Sequence, residues 1–250
     1  LMAVQRDDAS RVLKAGSATT VHGDGIRVES LILVECDRIL NDADRQALAT
    51  ELGQVLGDVR AVVNDWAPML ARLSKLRTES SLSAPSNVNR QEGIDFLQWL
   101  EDKHFTFLGA RDYDLVRDGE VINLVARADS GLGILRGTVQ TPVSQLPADA
   151  MELLHSDQLV LVTKAMTRAT VHRPAWLDYI AVKRFDANGE IVGESRFLGL
   201  YTSTAYAASV REIPQVRERV AQVMRNAGVV PDSHTAKSLQ AILDVYPRDE

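Results

Sequence analysis

Cysteine is nearly absent from this sequence, since Cys36 is the only one among 250 residues. No internal disulfide can form, and zinc sites that need two or more cysteine ligands are excluded. The five histidines show neither an HExxH motif nor close pairing, so we expect no metal site. No apolar run approaches the roughly 20 residues that cross a bilayer, and no signal peptide is visible at the front. We therefore expect no membrane segment.

An excess of basic residues is also lacking, because 28 Lys and Arg stand against 34 Asp and Glu, a net charge of -6. Phosphate binding depends on a basic surface, so we expect no nucleic-acid partner. The length suggests one or two domains, and 45% hydrophobic residues is ordinary for a globular protein. The chain starts on Leu1 without an initiator Met, which indicates a piece of a longer polypeptide. We expect a soluble, cytoplasmic, acidic protein.

Motifs of catalysis are missing as well. Residues 131–137, GLGILRG, have the spacing GxGxxxG rather than GxGxxG, and no βαβ unit frames them. We interpret them as a loop that needs backbone freedom. There is no Walker A sequence and no GxSxG elbow, and Cys36 lies on an apolar run where a buried, inert thiol is expected. The sequence therefore predicts no catalytic, cofactor-binding or metal-binding residue in this chain.

The first 76 residues predict strands followed by a long helix. Short strands are expected at Leu1–Gln5 and Arg11–Ala15, and a stronger one at Ser30–Asp37, whose consecutive apolar residues suit a strand covered on both faces. Asn41 is a natural N-cap for the helix. We expect Gly57 to break or bend the helix and Pro68 to kink it.

Residues 77–91, RTESSLSAPSNVNRQ, have the composition of a linker in which almost nothing is buried. A capping box follows, with Asn89 as the cap and Glu92 three residues on, and it predicts a short helix that carries Phe96 and Leu97.

Beyond this helix the pattern predicts an antiparallel sheet. A strand from Phe105 to Leu115 leads through the hairpin signal Asp118-Gly119 to a return strand at Val121–Arg127. A short helix is expected at Ala148–His155. Residues 159–203 then read as three consecutive antiparallel strands, the last two joined by a turn at Ala187-Asn188-Gly189.

Two strands, a helical connector and three strands is the order of a PAS-type sensor sheet. An ACT-like βαββαβ unit is the alternative, but three strands without an intervening helix fit it less well. The end of the chain reads as two helices, with Pro214 at the start of the first, Gly228 as its terminator and the second beginning near Ser233. The predicted fold class is α+β, with antiparallel sheets and a helical tail.

Cations are interleaved with apolar residues in the three-strand segment. They include Lys164, Arg168, His172, Arg173 and Arg196. Arginine donates bidentately to carboxylates and phosphates, so one interpretation is a site for an anion or an amino-acid effector. The alternative is structural, because buried cations need partners. The candidate acids for such pairing are Asp178, Glu190 and Glu194.

Four stretches of this sequence resemble the N-terminal portion of the large NAD-dependent glutamate dehydrogenases of bacteria. They are residues 91–115, QEGIDFLQWLEDKHFTFLGARDYDL, residues 130–137, SGLGILRG, the three-strand segment 159–203, and residues 212–250. The stretches are collinear, and the resemblance runs from about Ser30 to the end of the chain.

The resemblance implies oxidative deamination of L-glutamate to 2-oxoglutarate and ammonium, with NAD as hydride acceptor, by a homo-oligomer. It also places the dinucleotide-binding domain and the catalytic lysines far downstream, so this chain would need no cofactor of its own. Residues 1–76 would then end an ACT-like unit, residues 77–91 link it to a PAS-like domain at residues 92–203, and residues 204–250 lead to the next module.

These considerations leave three hypotheses. The chain is a regulatory module that binds a small amino-acid or other anionic effector, or it is a structural module that mediates oligomer contacts without a ligand. An independent hydrolase or transferase is the third, and the missing motifs argue against it.

Overall fold

The structure, a computed structural model, describes residues 2–7, 12–17, 25–30, 32–85, 89–118, 121–137, 143–145 and 156–245. The chain divides into two units, residues 1–49 and residues 50–250. Its architecture is α+β with antiparallel sheets, as predicted. The domain boundaries at residues 76 and 91 stay a prediction.

The first unit holds a three-stranded antiparallel sheet of order β2-β1-β3. Its strands are β1 (Met2–Arg6), β2 (Val12–Ser17) and β3 (Ile26–Glu29). The two short predicted strands are thereby confirmed, each within two residues of its predicted start and end.

The strand predicted at Ser30–Asp37 is wrong. Residues 32–41 lie outside helices and strands, and the Leu33 side chain is 83% exposed. Apolar residues favour a strand only when a neighbouring strand supplies hydrogen bonds and a packed face covers the side chains, and this run has neither among the described residues. Cys36 is exposed, so the buried position expected for it is also wrong.

Helix α1 (Asp42–Ser83) is longer than predicted. Asn41 caps it as expected, since its Oδ1 accepts a hydrogen bond from the Ala43 N–H at 2.9 Å. The helix continues through Gly57 and Pro68, so Gly57 does not break it, while the bend at Gly57 and the kink at Pro68 stay predictions. Residues 77–83, expected in the linker, are helical too. The helix extends this far because one of its faces is buried, and this face carries Met69, Leu73, Leu76 and Ser80.

The second unit contains the main sheet, whose order is β7-β5-β4-β10-β9-β8, with β6 paired to β4. Every pairing is antiparallel. The strands are β4 (Phe105–Asp118), β5 (Val121–Ala126), β6 (Leu132–Gly133), β7 (Val143–Gln145), β8 (Val160–Arg168), β9 (Trp176–Phe185) and β10 (Ile191–Tyr201).

The predicted β4–β5 hairpin is confirmed, because Asp118 pairs with Val121. The three consecutive strands of residues 159–203 and their turn at residues 187–189 are confirmed as well. Strands β6 and β7 lie in a stretch that showed no strand alternation, and the helix predicted at Ala148–His155 lies outside the described residues.

The helices of the second unit follow the predicted order. Helix α2 (Arg90–Trp99) continues into a π-helical turn at Leu100–His104, and the helices after the sheet are α3 (Ser203–Ala207), α4 (Val216–Asn226) and α5 (His234–Val245). Gly228, with φ of 63°, follows the end of α4, and Ser233 Oγ accepts from the Ala236 N–H at the start of α5. The terminator and the second helix start are thus confirmed.

A continuous apolar core joins helices α1 and α2 to the sheet. Phe107 of β4 and Phe197 of β10 meet edge to face at a centroid distance of 5.7 Å, and both are almost fully buried. Burying one such side chain contributes about 1.5–3 kcal/mol. A second buried cluster forms around Val62 of α1, Leu108, Leu177 and Leu200.

The glycine-rich loop at residues 131–137 is clamped to α1. Asp65 is 3% exposed, accepts the Gly133 N–H at 2.8 Å and is bidentate to Arg136. Gly133 has φ of 59°, and a Cβ there would collide with the Leu108 carbonyl. The backbone freedom predicted for this loop is therefore used for close packing.

We expect the Asp65→Asn variant to lower the free energy of unfolding by about 2 kcal/mol at pH 7, because it weakens charge-assisted hydrogen bonds to Arg136. Burial alone would raise the pKa of the Asp65 carboxyl, but the hydrogen bonds from Arg136 and Gly133 outweigh it and hold the pKa below its ordinary value of 3.8. This stabilisation is present above that value and is lost as the pH falls below it.

Urea unfolding followed by circular dichroism between pH 7 and pH 3 measures the effect, with Glu51→Gln on the exposed face of α1 as control. A difference from the wild type that stays constant over this pH range would contradict the ionic role of Asp65.

Candidate functional site

The five predicted cations come from three places in the main sheet. Lys164 and Arg168 lie on β8, His172 and Arg173 in the connection to β9, and Arg196 on β10. Lys164 pairs with Asp178 of β9, while Arg196 lies opposite Ala181 of the same strand.

Positions 178 and 181 face opposite sides of a pleated strand. The structure therefore brings Lys164, Arg168 and Arg173 together on one side and leaves Arg196 on the other.

Lys164 forms an ion pair with a buried acid. Its Nζ lies 2.8 Å from Asp178 Oδ1, and Asp178 is 2% exposed. The other carboxylate oxygen accepts the Tyr201 N–H at 3.3 Å. Burial, followed by the charge of Asp178, raises the pKa of the Tyr201 hydroxyl. The Tyr201 hydroxyl is therefore neutral. The pairing of Lys164 with Asp178 agrees with the interpretation that the cations are structural.

Arg168 and Arg173 are held differently. Arg168 donates to the Pro174 carbonyl at 3.1 Å, and Arg173 to the Tyr201 carbonyl at the same distance. Each guanidinium also lies 5.8 Å from an aromatic centroid, that of Trp176 for Arg168 and that of Tyr206 for Arg173. Within the described part of the chain, neither arginine forms an ion pair with a carboxylate. Their positive charge therefore stays available.

His172 is exposed and has a left-handed backbone with φ of 76°. It is not among the residues that line the two grooves beside the cluster. The geometry thus gives it no shared surface with the two arginines.

Arg196 belongs to a closed stack on the opposite side of the sheet. Its guanidinium lies between Tyr113 and Tyr179, 4.0 and 4.7 Å from their centroids, and donates to Glu194. Burial first, and then the charge of Glu194, raises the pKa of the Tyr179 hydroxyl, which donates to Glu194 at 2.7 Å. This arrangement matches the structural pairing with Glu194, whereas Glu190 forms no ion pair with any described residue.

Two grooves adjoin the cations. The cationic groove, of about 570 Å³, is lined by Lys164, Arg168, Arg173, Trp176 and Tyr206 among others. The aromatic groove has a volume of about 660 Å³ and lies between the sheet, α2 and the tail helices α3, α4 and α5. Its walls include Phe96, Trp99, Tyr201, Tyr206 and Val220. Lys164 and Tyr206 line both. Sequence reasoning missed the aromatic residues, because they are separated along the chain and only the fold gathers them.

The tail that closes the aromatic groove is tied to α2 by charges. Glu92 accepts the Gln215 N–H at 2.7 Å and pairs with Arg217 at 2.6 Å, and Asp95 pairs with the same arginine. Gln215 has φ of 66°, an uncommon conformation for a residue with a side chain.

The capping box predicted between Asn89 and Glu92 does not form. Asn89 makes no side-chain cap and donates instead to Glu218, because both residues of the box are engaged by the tail.

The described residues contain neither a metal-binding cluster nor a membrane-spanning helix. No group of three or more His, Cys, Asp or Glu in these ranges is placed to hold a metal ion. No helix there is both long enough and apolar enough to span a membrane.

Curated relatives match nearly the whole chain. The NAD-specific glutamate dehydrogenase of Halomonas elongata is 36% identical over 259 residues, which cover 100% of this chain and 16% of that protein. The protein of the same name from Pseudomonas aeruginosa is 34% identical, covering 98% of this chain and 15% of the relative. The protein of the same name from Mycobacterium tuberculosis is 32% identical over a match that covers 80% of this chain and 12% of the relative.

A family model described as "Glutamate dehydrogenase, helical motif 1" matches residues 213–250, the stretch that contains α4 and α5. The resemblance found in the sequence is confirmed by these matches. The chain spans 16% of the length of the Halomonas relative and 15% of that of the Pseudomonas relative.

We expect Glu92→Gln to weaken the attachment of α4 to α2, because the variant loses the charge that faces Arg217. The pair is partly exposed, so the loss should be about 1 kcal/mol, or about fivefold in protection. Hydrogen exchange of the amides in residues 216–226 measures it. Glu79→Gln, which removes only an exposed pair with Lys75 on α1, is the control. If the amides of residues 216–226 exchange equally fast in both variants, the ion pair of Glu92 with Arg217 does not attach α4 to α2.

Proposed function

We propose that this chain is a non-catalytic regulatory and assembly segment of an NAD-dependent glutamate dehydrogenase. In this proposal a downstream domain of the same cytoplasmic polypeptide binds NAD and oxidises L-glutamate to 2-oxoglutarate and ammonium. The observation that carries it is similarity along 100% of the chain to a protein of that name, of whose length the match covers only 16%.

The fold supports a sensor or interaction role for the second unit. Strands β5, β4, β10, β9 and β8 form a continuous antiparallel sheet with helices packed on it, the order we interpret as PAS-like for residues 92–203. We further propose that residues 1–76 belong to an ACT-like unit, residues 77–91 to the junction, and residues 204–250 to the connection with the next module. The complete enzyme is proposed to be a homo-oligomer.

The cationic groove supports an effector over a purely structural role. Lys164 and Arg196 have carboxylate partners, as a structural module requires, but Arg168 and Arg173 are anchored by backbone carbonyls. Guanidinium groups fixed in this way, without acids beside them among the described residues, suit a carboxylate or phosphate ligand. A scaffold without a ligand remains the second candidate, favoured by the two paired cations.

The purified chain should gain thermal stability when titrated with amino acids, 2-oxoglutarate or nucleotides. A ligand at a hundred times its dissociation constant adds about 2.7 kcal/mol to the free energy of unfolding. We expect Arg173→Ala to abolish most of this gain, whereas Arg117→Ala, exposed on β4 away from the groove, should keep it.

Absence of a stability gain with every ligand would favour the scaffold. NADH formation from glutamate by the chain alone would contradict the assignment of catalysis to a downstream domain.

A further inference from the structure

We propose that the two grooves form one cleft that binds a planar aromatic ring carrying a carboxylate or phosphate group. The ring lies in the aromatic groove and the anion on Arg168 and Arg173. This inference rests on the proposed function only in taking the segment to bind an effector, and it names the chemical class of that effector.

The aromatic groove provides the surface for a ring. Trp99 lies 6.0 Å from Tyr201 and Tyr201 lies 6.5 Å from Tyr206, measured between ring centroids. Val162 of β8 and Val220 of α4 add apolar walls. A volume of about 660 Å³ lies within the range of pockets that hold small ligands. Aromatic surface of this kind favours a flat, polarisable body over an aliphatic chain alone.

The cationic groove provides the anion contacts. An arginine has five N–H donors, and the backbone carbonyl of Pro174 or Tyr201 uses only part of this capacity. Those anchors hold the guanidinium groups in place before a ligand arrives, which lowers the entropy lost on binding. The arginines leave a positive charge at this end of the cleft, since neither faces a carboxylate among the described residues.

The charges where the two grooves meet determine which groove holds the ring and which holds the anion. Lys164 and Tyr206 line both grooves, so the two grooves adjoin at these side chains. The charge of Lys164 is offset by Asp178 at 2.8 Å. An anion placed beside Asp178 would be repelled, whereas one placed on Arg168 and Arg173 is attracted. Arg219 also lines the aromatic groove and is exposed like Arg168 and Arg173, so the Arg173→Ala variant decides which end of the cleft holds the anion.

Isothermal titration of the chain with four probes tests the site. AMP joins a ring to a phosphate and indole-3-acetate joins a ring to a carboxylate, while adenosine lacks the anion and inorganic phosphate lacks the ring. We expect at least one of the first two to bind at least tenfold more tightly than either of the last two. Binding of only one ring-bearing anion identifies its acid group. If neither binds, or if adenosine or phosphate binds as tightly, the proposal is overturned.

Two variants locate the binding. Val162→Trp fills the aromatic groove from a position that is 37% exposed, so the sheet tolerates the larger side chain. Arg173→Ala removes an anion contact. Each should weaken binding of the ring-bearing anion at least tenfold, and Arg117→Ala should leave it unchanged. Circular dichroism and thermal unfolding verify that the variants fold. Full binding by either folded groove variant would overturn the site.

Glutamate oxidation by the complete enzyme separates this inference from the proposed function. A response of the enzyme to an anionic effector that survives both groove variants overturns the cleft and leaves the regulatory role standing. Binding of the probe at the cleft without any change in activity or assembly supports the site and contradicts the regulatory role.

Discussion

Charged side chains on buried strands are the constraint that the rest of this structure has to meet. Asp178, Lys183 and Glu194 lie on the central strands β9 and β10 and are 2%, 8% and 8% exposed. Burying a charge costs several kcal/mol unless partners replace the water. Asp178 has Lys164, Glu194 has Arg196, and Lys183 donates to the Ser156 carbonyl, with burial lowering its pKa to about 8. The Lys164–Asp178 pair joins β8 to β9, and the Tyr179 hydroxyl, which donates to Glu194, joins β9 to β10, so these polar contacts reinforce the pairing of the strands.

Charge pairing also contributes to the position of α4, although the residues involved are partly exposed. Helix α4 has only one buried residue, Val220, so apolar packing alone holds it weakly. Glu92 and Asp95 of α2 provide the remaining attachment through Arg217 and the Gln215 N–H. The left-handed backbone of Gln215 costs of order 1–3 kcal/mol, which these contacts offset. The aromatic groove therefore depends on these ion pairs, because α4, which they attach to α2, forms part of its wall.

Much of the fold was predictable from local pattern, and the errors have physical causes. Strand alternation and turn chemistry located β4, β5 and β8–β10, and Asn41 capped α1 as expected. The apolar run after Ser30 failed because strand formation depends on a partner that local sequence does not specify. Asn89 and Glu92 formed no capping box because distant residues compete for their side chains. The candidate cations were found by residue type, but their division between two sides of the sheet follows from strand register, which spacing alone does not reveal.

The division of the cations also bears on how the proposed binding role and a structural role would share one sheet. Arg196, stacked between two tyrosines and paired with Glu194, is fully committed to the fold. Arg173 is anchored by the carbonyl of Tyr201, a residue whose N–H is held by Asp178, which in turn pairs with Lys164. In the proposed site, an anion bound to Arg173 would therefore contact a side chain that Tyr201 connects to the buried ion pair between Asp178 and Lys164.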